Sequence, residues 1–125
     1  MFVMGNESNN LNRILMTVDT VGGVWNYAME LIKGLSDRGI EVALATMGPL
    51  PDAEKQKSLA GIKNVDLYES SFKLEWMEQP WEDVEEASEW LLELEIMLHP
   101  NIVHLNGFVH GALPWHSPVV VVGHS

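Results

Sequence analysis

A chain of 125 residues with 46% hydrophobic content has the material for one globular domain with a buried core. It contains no cysteine, which excludes a disulfide scaffold and thiol chemistry. Its formal net charge of −11 repels phosphate backbones and anionic lipid, so nucleic acid is not an expected partner.

Met1 to Asn12 is polar and Asn-rich and lacks the basic and apolar regions of a signal peptide, so the expectation is a flexible leader over 1–12. No apolar run approaches the ~18 residues of a membrane span. The expected setting is cytoplasmic, with a single domain over 13–125.

Arg13-Ile14-Leu15-Met16-Thr17-Val18 is a short apolar run followed at once by Asp19-Thr20-Val21-Gly22-Gly23, which predicts a buried strand and a tight loop. Val24, Tyr27, Ala28, Leu31 and Leu35 then recur at helical steps, and Gly39 stands where a C-terminal cap belongs. Ile40 to Thr46 predicts a second buried strand. Pro51 to Gln56 opens a short helix with acids in its first turn, where they meet the helix dipole favourably.

Val65 to Tyr68 alternates as a third strand, and Glu69 to Gln79 has no period. From Pro80 onward, Trp81, Val84, Ala87, Leu91, Leu94 and Leu98 form a helical stripe. The acids Glu75, Glu78, Glu82, Asp83, Glu85, Glu86, Glu89, Glu93 and Glu95 crowd this segment, and the simplest reading is one solvated helix face. Trp25 and Trp90 fall off the best apolar faces, as residues half buried or facing a partner do. Ile102 to Leu105 and Pro118 to Val122 predict two further strands, the last too continuously apolar to have a wet face.

Alternating strands and helices, with strands apolar on both faces, predict an α/β fold: a doubly wound, mainly parallel, Rossmann-like sheet flanked by helices in a single domain. Ligands of such sheets sit beyond the carboxyl ends of the strands. Those ends carry Asp19 to Gly23, Met47 to Pro51, Asn106 to Gly111 and Gly123 to Ser125.

Gly22-Gly23 either lets a backbone approach a phosphate at a helix N-terminus or only shapes a turn. It forms neither GxGxxG nor a Walker loop, and no acid ends the second strand, so a dinucleotide site lacks support. His104 to His116 gathers three histidines, Asn106, Phe108 and Trp115 near a strand end, a mixture that suits hydroxyls and sugar ring faces but equally a loop packed on the core. The even spacing of His104, His110 and His116 matches no zinc template, so no metal is expected. His124, ending the last strand, is aimed at the crevice. Ser125 after it forms no GxSxG elbow.

Arg13 to Met16, Asp19 to Trp25, Gly39-Ile40-Glu41-Val42, Asn101 to Gly107 and Val119 to Ser125, in this order and spacing, resemble the N-terminal domain of family 4 glycosyltransferases of the GT-B fold. The resemblance implies a retaining transferase whose N-terminal domain holds the acceptor while a C-terminal domain holds the sugar nucleotide, the co-substrate in place of any cofactor. It implies that Gly22 and Gly23 approach the donor diphosphate, that His124 lies by the donor sugar as the catalytic position, and that Asn106, Gly107 and His110 line the acceptor side. Thr20 and Val21 depart from glycogen synthase-like relatives, which carry a lysine before the glycine pair.

The implied partner is a C-terminal GT-B domain, in cis or as a separate subunit of a split enzyme, and the chain alone is expected to be inactive. Association with a second copy is a further expectation. The competing reading is a noncatalytic Rossmann-like binding or interaction domain.

Overall fold

The computed structural model describes residues 12–124, so the expected leader, apart from Asn12, and the reading of Ser125 lie outside the described residues. The elements are β1 (Arg13–Asp19), α1 (Val24–Asp37), β2 (Glu41–Met47), α2 (Ala53–Ala60), β3 (Val65–Tyr68), α3 (Trp81–Leu98), β4 (Ile102–Leu105) and β5 (Val119–Val121). The strands form one parallel sheet in the order β3-β2-β1-β4-β5. The chain winds outward from β1 to β3 and then returns to the other side of β1, so the reversal point lies between β1 and β4.

Strand geometry sends alternate side chains of β1 to opposite faces, and the core divides accordingly. Ile14, Met16 and Val18 pack with Trp25, Ala28, Met29 and Ile32 of α1 and Leu59 of α2. Leu15 packs with Ala87, Leu91 and Leu94 of α3 and with Val103 and Leu105 of β4. Burying one such aliphatic side chain is worth about 1.5–3 kcal/mol, and the two faces together define the doubly wound architecture.

Three features differ from the sequence reading. In α1 the buried stripe is Trp25, Ala28, Met29 and Ile32, while Tyr27 is 42% exposed. The helix is apolar around more than half its circumference, so two stripes one residue apart have the same period, and the sheet chooses between them. In α3, Trp81 at the first position of the helix is 66% exposed, whereas Trp90 packs on Phe72 at a ring distance of 5.7 Å. Strand β5 is the edge of the sheet, and Val120 and Val121 are 45% and 38% exposed rather than sandwiched.

Glu95 is the exception to the solvated acidic face. It is 3% exposed, and its carboxylate accepts from the backbone N–H of His116 at 2.9 Å and of Ser117 at 2.7 Å. A parallel β4–β5 connection is usually a helix, which satisfies its own amides. Here the connection is irregular, and a buried carboxylate on α3 supplies acceptors that a helix would have provided.

The end of α1 follows its sequence signal closely. Gly39 N–H bonds to Ser36 O and Ile40 N–H to Leu35 O, the paired bonds of a Schellman motif, with Gly39 at φ +76°. Asp52 caps α2 by accepting from Lys55 N–H at 2.9 Å.

Candidate functional site

A cleft of ≈ 210 Å³ opens at the carboxyl ends of the strands, over the reversal point between β1 and β4. Thr17, Val18 and Asp19 of β1 and Met47 of β2 form one side. Leu105 to His110 form the floor, His124 comes in from beyond β5, and Leu74, Glu75 and Trp76 cover the other side. The aperiodic stretch before α3 is thus the cleft's outer wall. A tryptophan in a segment with no core stripe was the available signal, and the sequence reading passed over it.

Asn106 ties the cleft together. Its backbone N–H donates to Thr17 Oγ1 at 3.2 Å and its Nδ2 donates to Thr17 O at 2.9 Å. Its Oδ1 lies 3.2 Å from His104 Nε2 and 3.0 Å from His124 Nε2. Burial depresses the His104 pKa below its usual value; the Asn106 bond opposes that shift and the nearby His124 adds to it. His124 itself is exposed, and the ring of Tyr27 meets it edge-on at 4.9 Å, so a residue read as core reaches the site instead.

His110 is buried at 4% exposure, and burial lowers its pKa as well. Its Nδ1 lies 3.1 Å from Ser88 Oγ, which also donates to Val84 O at 2.8 Å. The hydroxyl has one proton and the carbonyl only accepts, so His110 donates from Nδ1–H and turns Nε2 into an acceptor. Asp19 Oδ1 accepts from Val21 N–H at 2.7 Å. Burial raises its pKa, against the pull of that bond and of one with the Trp76 side chain.

The structure brings Asn106, Gly107, His110 and His124 to this cleft together with Val24, the residue after the glycine pair, while the pair itself is not among the lining residues. Gly22, at φ +86°, lines a separate polar hollow with Trp25, Asn26, Glu54, Lys55 and Ser58. Gly23 is the N-cap of α1, with no side-chain cap and no acid in the first turn, whereas α2 has Asp52 and α3 has Glu82 and Asp83 in that region. The first amides of α1 therefore keep their partial positive charge unanswered by side chains. Thr20 is buried and donates to Pro49 O at 2.6 Å, joining the first loop to the one after β2.

His104 and His116 do not converge with His110: His104 faces Asn106, and His116 is exposed beside Glu95. Among the described residues, no group of three or more His, Asp or Glu side chains is arranged to hold a metal ion. No described helix is long and apolar enough to cross a membrane.

Five parallel strands wound on both faces, with a cleft at the reversal point, define an α/β domain of the Rossmann-like class. The model of Glycosyltransferase Family 4 matches residues 21–125, and the chain belongs to that family. Among solved structures, it is similar to the glycotransferase of kitacinnamycin at 16% identity and a TM-score of 0.65, over 89% of this chain. It is also similar to a glycosyltransferase from Rickettsia africae ESF-5 at 15% identity and a TM-score of 0.60, over 90% of this chain. The chain spans 30% and 29% of those two structures' lengths. No curated protein matches it.

Proposed function

We propose that this domain is the acceptor-side, N-terminal half of a retaining glycosyltransferase that moves a sugar from a sugar nucleotide, and that it is inactive without a C-terminal donor-binding domain. The observation that carries the reading is the cleft at the β1/β4 reversal point of a family 4 chain, where His124 and Asn106 meet. At ≈ 210 Å³ it falls short of the roughly 300–1,000 Å³ of a complete small-ligand pocket. It has the size of one wall of a site that a second domain completes.

In this reading His124 stands beside the donor sugar as the catalytic position. Gly107 and His110 line the acceptor side, together with Asn106. Trp76 and Phe108, 61% and 67% exposed, offer aromatic faces to sugar rings. Gly22 and Gly23 lead into the uncapped N-terminus of α1, which favours a diphosphate. The loop itself carries no lysine before the glycine pair; Lys55 of α2, which lines the hollow beside Gly22, is the nearby cation.

The test is reconstitution with a donor-binding domain of the same family, produced from the same chain or as a separate subunit, and assay against a panel of sugar nucleotides. Transfer is expected only in the assembled protein. His124→Ala is expected to lower turnover at least tenfold, about 1.4 kcal/mol of transition-state stabilisation, while the melting temperature stays within a few degrees. Unchanged turnover removes His124 from the site, and failure of every assembled form to bind or turn over a sugar nucleotide leaves a noncatalytic binding domain.

A further inference from the structure

Asn106 spends its hydrogen bonds on neighbouring protein groups rather than offering them to the cleft. Its Nδ2 donates to Thr17 O at 2.9 Å. A carbonyl oxygen only accepts, so the amide orientation is determined and Oδ1 must face the imidazoles. That oxygen carries no proton, so His124 at 3.0 Å and His104 at 3.2 Å both approach it as Nε2–H donors, one to each lone pair. The backbone N–H bond to Thr17 Oγ1 anchors the whole group to β1. His124, exposed beyond the edge strand, makes no other hydrogen bond among the described residues, and the Tyr27 ring lies 4.9 Å from it in an edge-to-face arrangement.

We propose that Asn106 is a positioning residue for His124: by accepting both Nε2–H groups on one oxygen it holds the His124 ring and leaves Nδ1 as a lone-pair acceptor for a hydroxyl of the bound sugar. The last clause rests on the proposed function; the positioning itself does not. A neutral His124 held this way receives a hydrogen bond from a hydroxyl and has no proton at Nδ1 for a phosphate oxygen. The site thereby distinguishes sugar from diphosphate at this atom. Asn106, with three of its four side-chain hydrogen-bonding positions engaged, acts on the sugar through His124 rather than by direct contact.

Nuclear magnetic resonance of the 15N-labelled chain tests the positioning without any transfer reaction. At about pH 8, above the ordinary histidine pKa of about 6.5, the Nε2–H protons of His104 and His124 are expected as resolved signals, because a hydrogen bond slows their exchange with water. In Asn106→Ala the His124 signal is expected to disappear while the amide signals of β1 and β4 persist. Asn106→Asp keeps an oxygen toward the imidazoles and adds a charge, at the loss of the Nδ2–H bond to Thr17 O, so the signals remain and both histidine midpoints rise by roughly one unit or more. Asp19, Glu75, His110 and Tyr27, the other ionisable groups around the cleft, are the same in each variant.

A His124 Nε2–H that exchanges freely in the unsubstituted chain, or a His124 midpoint that stays put in Asn106→Asp, overturns the positioning. If the alanine variant does not fold, the aspartate variant decides. In an assembled enzyme, His124→Asn places an amide near the Nδ1 position and is expected to keep more transfer than His124→Gln, whose amide reaches the Nε2 position. The reverse order overturns the hydroxyl contact even where the resonance result stands.

Discussion

Asn101 and Asn106 bracket β4, and the same side chain serves different ends at the two edges of the sheet. At the amino end, Asn101 Oδ1 accepts from the backbone N–H groups of Asn12 at 3.1 Å and Arg13 at 3.0 Å. Beside it Arg13 bonds Leu98 O at 2.6 Å and pairs with Glu41 at 3.0 Å. That end is closed upon itself. At the carboxyl end Asn106 accepts from two histidine rings, and a cleft opens around it. In a parallel sheet, one end can be fastened by local polar bonds while the other remains available for ligands.

Substitutions at the closed end should lower stability, and those at the open end should lower function. The largest effect is expected at Glu95→Ala. It strips two backbone amides of their acceptor at about 1–3 kcal/mol each, so a loss near 3 kcal/mol should appear in urea denaturation. Glu95→Gln, which keeps an acceptor oxygen, should lose clearly less, and equal losses would show that Glu95 acts only by filling space. Asn101→Ala comes next, at about 2 kcal/mol for two partly buried amides, with Asn101→Asp close to unsubstituted.

A smaller effect of opposite sign is expected at Thr46, whose buried Oγ1 has no partner. Thr46→Val should stabilise by about 1 kcal/mol, since it removes a polar atom desolvated without compensation. A destabilised valine variant would point to a partner for the hydroxyl.

The smallest effect is a pH slope. The folded pKa of His110 lies below its unfolded value of about 6.5, so the unfolded chain takes up a proton that the folded one resists. The contribution is fully present above that pH and is lost as pH falls toward the lower folded value. Because acidification also relieves repulsion in a chain of net charge −11, the comparison is between variants: His110→Asn, which keeps a donor toward Ser88, should lose less stability between pH 7.5 and 5.5. Parallel pH profiles would exclude His110 as the source.

The element order was legible because each signal is local. Val65 to Tyr68 coincides with β3, Gly39 marks the end of α1, and Asp52 caps α2. The site was legible as a set of strand ends, which is why Asn106, Gly107, His110 and His124 meet in one cleft. What was misread depends on what lies across from a residue: Trp25 for Tyr27 in the core, Trp81 in solvent, Glu95 inside, and the exposure of β5.

By itself, the sequence determined the α/β alternation, the caps and the strand ends, since periodicity, glycine at positive φ and side-chain capping act within a few residues. Only the tertiary structure decided which of two equivalent stripes of α1 is buried, that Glu95 serves a loop about twenty residues away in the chain, and that one amide oxygen receives two imidazoles. Those outcomes depend on which surfaces compete for the same space and on which donors find an acceptor there. A single strand or helix does not contain that information.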